Sequence, residues 1–166
     1  SEMCIRDSHN GTSQNFFKTR TMMNEEGNKY MEVYSYYDGL GRPYQTVECK
    51  ITPFQTHLIT LQEYDAANRK TYTWLPVESA TSTYMPSASV KAQAVADYGD
   101  THPYTKTEYE ASPLNKIVNQ YGAGEDWNNH PVHIEYMTNT TSSPLNCLNY
   151  MVNDNGTLVS SNQYYA

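Results

Sequence analysis

The sequence predicts an all-β fold of consecutive antiparallel hairpins with one short inserted helix near residues 87–98. Three observations predict it. A Tyr-Asp tip recurs along the chain between runs of Tyr, Thr, Val and Ile. Tyr is abundant, with 16 residues against 3 Phe and 2 Trp, and aromatic and β-branched side chains fit a pleated, half-buried surface best. One stretch alone carries helix punctuation. Leu, Ile, Val and Phe together number only 25 of 166 residues, which by itself raises the suspicion of disorder. Disorder, however, needs low hydrophobicity combined with high charge, and the net charge is a modest −7. The chain reads as folded, its core and faces built largely from Tyr and Thr.

Residues 1–8 (SEMCIRDS) are unlike the rest of the chain and are set aside as a non-native, adapter-like leader. This leaves 9–166 as a single β-rich module of a larger polypeptide, lacking its native N-terminus and truncated at its C-terminal end. Residues 16–23 and 24–28 read as a strand and a turn. Strands over 30–36 and 44–49 flank the first tip, Tyr37-Asp38-Gly39-Leu40-Gly41-Arg42-Pro43. Strands over 57–63 and 71–75 flank the second, Tyr64-Asp65-Ala66-Ala67-Asn68-Arg69-Lys70. Strands over 104–108 and 116–121 flank the third, Tyr109-Glu110-Ala111-Ser112-Pro113-Leu114-Asn115-Lys116, which is two residues longer. Residues 132–136 open a weaker fourth copy at Tyr136-Met137-Thr138-Asn139. Between the second and third tips, Pro86 to Ser89 start a helix and Gly99 stops it. Val90, Ala94 and Tyr98, with Val95 beside them, form a stripe that can pack on the sheet.

Substitutions between the copies have a common physical sense. The position before the basic residue is Gly41, Asn68 and Asn115 in turn, the residue types that most readily take positive φ in a hairpin turn or its bulge. An acid precedes a base at each tip: Asp38/Arg42, Asp65/Arg69 and Glu110/Lys116. A carboxylate there accepts turn N–H groups and pairs with the cation. Exposed ion pairs of this kind contribute about 0–1 kcal/mol and serve geometry, so the tips are read as structural.

The Tyr-Asp tip followed by Gly-x-Gly-Arg or Asn-Arg resembles the YD repeat of RHS-type proteins. The ordered set of Thr19 to Met22, Tyr37 to Val47, Glu63-Tyr64-Asp65, Trp74-Leu75-Pro76, Tyr98-Gly99-Asp100, Pro103 to Asn115, Gln120-Tyr121-Gly122 and Asp126-Trp127 covers about residues 15–140. It is similar to a domain of unknown function on the N-terminal side of Bacteroidota RHS-repeat-associated core proteins. The resemblance implies a large secreted or cell-surface protein whose hairpins wind into a hollow β-shell around a variable, often toxic, C-terminal segment. Its expected partners are the downstream YD repeats and that segment. Self-cleavage in such proteins uses Asp-Pro motifs; this chain contains no Asp-Pro, and the activity is not carried over.

Other functions find little in the residues. Eleven Lys and Arg scattered among 18 acids make no basic patch for nucleic acid, and no apolar run approaches the ~20 residues of a membrane span. His130, His133, Glu135 and Asp126 could in principle hold a metal, but without HExxH or a Cys pair they read as polar loop and strand residues. No metal and no cofactor is expected. Gly39-x-Gly41 and Gly122-x-Gly124 precede no helix and so make no phosphate cradle. No G-x-S-x-G elbow is present, and no catalytic residue is assigned: the chain is not read as an enzyme. Cys49 and Cys147 could pair in an exported protein, with two free thiols the preferred alternative. A competing binding function would use Trp74, Trp127, Tyr72 and Tyr121 to stack on sugar rings, against the reading in which these rings are core.

Overall fold

A computed structural model describes residues 2–5, 14–140 and 142–165. The chain divides into two compact units, Ser1–His133 and Ile134–Ala166. The first comprises β1 (Glu2–Ile5), β2 (Asn15–Met22), β3 (Tyr30–Tyr37), β4 (Pro43–Cys49), β5 (His57–Tyr64), β6 (Lys70–Trp74), β7 (Val77–Ser79), α1 (Ser87–Tyr98), β8 (Tyr104–Tyr109), β9 (Ile117–Tyr121) and β10 (Val132–His133). These strands join one sheet in the order β1-β2-β3-β4-β5-β6-β8-β9-β10, with β7 on β5. Every pairing within it is antiparallel. The all-β expectation and its single helix both hold.

Strand β5 shows why the sheet changes partners midway. Its first half, from His57 to Ile59, pairs with β7, while Gln62 to Tyr64 pair with β6. The break between β6 and β7 falls at Leu75-Pro76. Pro76 has no N–H for a ladder, and the Leu75 N–H turns away to donate to the Pro103 carbonyl at 2.9 Å. Nothing in the sequence marks β7 as a strand, because three residues after a Pro carry no period.

Cross-strand register puts Tyr34 opposite Val47 and Val47 opposite Ile59, so these share one face. Tyr36, Gln45, Leu61, Trp74 and Val77 complete the buried set, and α1 covers it with Val90 and Ala94. Of the helix stripe, Val95 and Tyr98 remain partly exposed, Tyr98 donating its hydroxyl to the Pro76 carbonyl at 2.7 Å. Gly99 closes the helix in the left-handed conformation, φ 61°, as a C-terminal glycine does. Gln45 is buried, and its amide pairs twice with Met85: Nε2 donates to the Met85 carbonyl at 2.7 Å and Oε1 accepts the Met85 N–H at 3.0 Å. That satisfied pair ties the segment before the helix to the sheet, since a buried amide must find partners. The opposite face carries Ser35, Thr46 and Thr60 directly across from one another.

Glu2–Ile5, within the stretch set aside as a leader, pairs through its backbone with β2, Glu2 opposite Arg20 and Ile5 opposite Phe17. One expectation needs correction. The fourth hairpin does not form. Only Val132 and His133 pair with β9, and residues 134–139 have no regular structure. The copy has Met137 where the others have an acid, and a thioether is too weak an acceptor to replace the carboxylate that holds the N–H groups of the first two tips. The second unit instead holds an unexpected hairpin, β11 (Leu148–Val152) with β12 (Leu158–Tyr164).

Candidate functional site

The three full tips lie at one end of the sheet, because each joins a strand to its antiparallel neighbour: β3 to β4, β5 to β6 and β8 to β9. The first two tips have the same hydrogen bonds atom for atom. The Asp38 N–H donates to the Arg42 carbonyl and the Gly41 N–H to the Asp38 carbonyl, both at 3.0 Å; Asp65 N–H to Arg69 and Asn68 N–H to Asp65 repeat this at 2.9 and 3.0 Å. Asp38 Oδ1 accepts the N–H groups of Leu40 and Arg42, and Asp65 Oδ1 those of Ala67 and Arg69. The other carboxylate oxygen takes the arginine, Arg42 Nε at 2.7 Å and Arg69 Nε at 2.8 Å. The Arg42 backbone N–H, then its guanidinium, hold the Asp38 carboxyl below the usual range. The Arg69 N–H does the same for Asp65. The residues preceding each base, Gly41, Asn68 and Asn115, have φ of 77°, 65° and 55°, as their residue types require.

The third tip uses a different device. Ser112 Oγ accepts the Leu114 N–H at 3.1 Å and donates to Glu110 Oε1 at 2.5 Å, while the Glu110 N–H donates to the Lys116 carbonyl at 2.9 Å.

Consecutive tips are stapled to one another. The Arg42 guanidinium lies over the Tyr64 ring, 4.6 Å from its centroid, and Tyr64 donates its hydroxyl to the Pro43 carbonyl at 2.8 Å. One hairpin later, Arg69 lies 4.8 Å over Tyr109, and Tyr109 donates to the Lys70 carbonyl at 2.8 Å. Each arginine also reaches the next tip by its Nη1, to Asn68 Oδ1 at 2.7 Å and to the Glu110 carbonyl at 3.0 Å. The Tyr of the repeat is thus the platform for the arginine of the preceding hairpin.

Residues 10–141 match the family described as "Domain of unknown function (DUF6443)". The chain belongs to this family. Neither the curated proteins nor the solved structures give a significant match. The matched DUF6443 stretch contains all three tips and both staples.

The four rings suggested for stacking are placed differently from one another. Trp74 is only 9% exposed. Its Nε1 donates to Glu63 Oε2 at 2.8 Å, and Lys91 of α1 sits 5.3 Å over its ring while pairing with Glu63. Tyr72 stands edge-on to Tyr104 at 5.2 Å, and Tyr121 lies beneath Lys106 at 4.9 Å. Trp127 is 56% exposed, on a 3₁₀ turn at Glu125–Trp127, with its Cγ 3.2 Å from where a Cβ on Gly122 would stand. Cys49 and Cys147 are both free, and burial pushes the Cys49 thiol up to about 11.

The His130–His133 region makes no metal cluster among the described residues. His130 Nδ1 lies 2.9 Å from the Asp126 carbonyl oxygen, and His133 Nδ1 2.8 Å from Asn119 Oδ1. A different group meets instead: Asp100, His102 and Glu125. The N–H groups of His102 and Glu125 hold the Asp100 carboxyl below its usual range, and the Thr101 hydroxyl does so for Glu125. Sequence reasoning missed this group because Asp100 and Glu125 lie on separate loops. The local Asp-x-His was its only signal.

Proposed function

We propose that this DUF6443 module is a non-catalytic scaffold of a large secreted or cell-surface RHS-type protein, in which it caps or starts a β-shell. On this reading the downstream YD repeats add hairpins to the same sheet, and the shell encloses a variable C-terminal segment. One observation carries the proposal: the tip-to-tip staple, built with the same atoms at Arg42–Tyr64–Pro43 and at Arg69–Tyr109–Lys70. A link between neighbours that recurs with one geometry is what an array propagates, and arrays need atypical units at their ends. The two-residue terminal strand β10 supports the same reading, since it covers little of β9 and leaves room for an added strand.

The test is amide exchange across β9 and β10, in this chain and in a polypeptide continued through its natural downstream repeats. Protection of Ile117 to His133 should rise in the longer polypeptide. Equal exchange in both sinks the proposal. A second reading, glycan binding, rests on the open face of Trp127; it requires glycan-array binding that Trp127→Ala abolishes.

A further inference from the structure

At the end of the sheet opposite the tips, the loop entering β8 and the loop leaving β9 meet through three side chains. Asp100, His102 and Glu125 each offer one ligand atom, and these atoms all lie within 4.8 Å of one another. Donors bound at 2.0–2.2 Å around one zinc-sized ion are roughly 3–4 Å apart, so small side-chain rotations bring all three onto a common centre. We propose that Asp100, His102 and Glu125 bind a divalent first-row transition ion such as Zn²⁺, clamping the two loops together. One imidazole with two carboxylates is a donor set that suits Zn²⁺, Mn²⁺ or Fe²⁺ rather than a thiol-seeking metal.

The surroundings match what oriented metal ligands need. Outer hydrogen bonds fix the direction of a ligand and its basicity. Asp100 Oδ1 accepts the His102 N–H at 2.6 Å, and both of its oxygens share the Glu125 N–H at 3.0 Å, which leaves Oδ2 a lone pair to give. Glu125 Oε2 accepts from Thr101 Oγ1 and meets His102 Nδ1. The His102 ring is set against Tyr104 with centroids 5.4 Å apart. The backbone behind is pinned too, the Gly124 N–H donating to the His102 carbonyl at 2.8 Å. Gly124 has φ +112°, a conformation L side chains rarely adopt, and a Cβ there would stand 3.3 Å from Asp100 Oδ2, close enough to shift this carboxylate by a few tenths of an ångström. Binding replaces the His102–Glu125 contact: Nδ1 gives its lone pair to the ion, and the imidazole proton resides on Nε2. Glu125 is exposed, which leaves the remaining coordination positions to water.

The experiment is titration of the metal-free protein with ZnCl₂ by calorimetry, alongside His102→Gln and Glu125→Gln. One ion should bind per chain, and either substitution should weaken it about tenfold or more. The pair His130→Gln and His133→Gln should leave the affinity unchanged. Independently of any variant, Zn²⁺ should shift amide resonances confined to residues 98–104 and 122–128 of the unsubstituted protein. No one-to-one binding overturns the proposal, as does an affinity indifferent to Glu125→Gln or a set of shifts centred on His130 and His133.

Discussion

Arg42 performs three tasks with one planar group: it pairs with Asp38, lies over Tyr64 and donates to Asn68. A guanidinium can do this because its donors point along a fixed fork while its faces stay free to stack. Lysine, a single point charge, cannot keep all three, so Arg42→Lys should behave nearly as badly as Arg42→Ala. The stacking part is separable by a double-mutant cycle on Arg42→Ala and Tyr64→Ala. We expect a coupling of about 0.5–1 kcal/mol, the range for cation–π pairs near a surface, and additive effects would refute the staple. The same tips predict a pH response. Asp38 and Asp65 titrate below their usual range when folded. Their stabilising share is therefore complete above the unfolded carboxyl pKa of about 3.9 and is lost as pH falls through the lower folded values. Denaturant midpoints measured from pH 5 down to pH 2.5 should fall, and the fall should be shallower in Asp38→Asn with Asp65→Asn.

At the scale of elements, one turn design recurs well beyond the tips that the Tyr-Asp pattern reveals. An N–H three residues on returns to the carbonyl of Asn24, Asp38, Thr52, Asp65, Ser112 and Asn153. The residue that donates it has positive φ in every case: Gly27, Gly41, Gln55, Asn68, Asn115 and Gly156. Asn153 reproduces the first tip's side-chain bonds, its Oδ1 accepting the N–H groups of Asn155 and Thr157. Asp38 and Asp65 are legible in the sequence because arginine and tyrosine mark them. The turn at Asn153 is not, because any short oxygen-bearing side chain serves the backbone equally, and Asn, Thr and Ser are common here. Strands β2 to β6, β8 and β9 are readable from their flanking turns, and α1 from Pro86 and Gly99. The staples are not, since Arg42 and Tyr64 meet only once β4 and β5 are paired. The turn design makes its own prediction at Asn68. Both Asn68→Gly and Asn68→Val remove the acceptor of the Arg42 guanidinium; beyond that shared loss, Asn68→Val, which forces a β-branched residue to φ 65°, should cost about 1–2 kcal/mol more than Asn68→Gly. Thermal melts of the two variants decide it; equal melting temperatures would remove positive φ as the reason for Asn.

Across the molecule, burial is concentrated where the helix covers the sheet and thins toward both edges. Val47, Ile59, Leu61, Val77, Val90 and Ala94 are shut away, so truncating Ile59 to Ala should cost about 2–5 kcal/mol. The Tyr surplus lies mostly outside this core: only Tyr34 and Tyr36 of the sixteen tyrosines are buried, and desolvation pushes the Tyr36 hydroxyl up to about 12. Which tyrosines are buried is illegible in the sequence, because a sheet with Tyr on both faces has no clean period of two. Beyond this centre the sheet ends in β10, whose Val132 is 64% exposed on a strand only two residues long. An edge closed so lightly, with an exposed apolar residue and no lysine or arginine to guard it, pairs readily with another chain. On the proposed scaffold role, in which this edge receives a further strand, the chain by itself should associate through it. Sedimentation velocity should show concentration-dependent growth of the isolated chain, and Val132→Lys should suppress it while leaving the stability within about 0.5 kcal/mol of the original. Sedimentation as a monomer at every concentration tested would mean that the edge is already sufficient by itself, and the capping role would lose its physical motive.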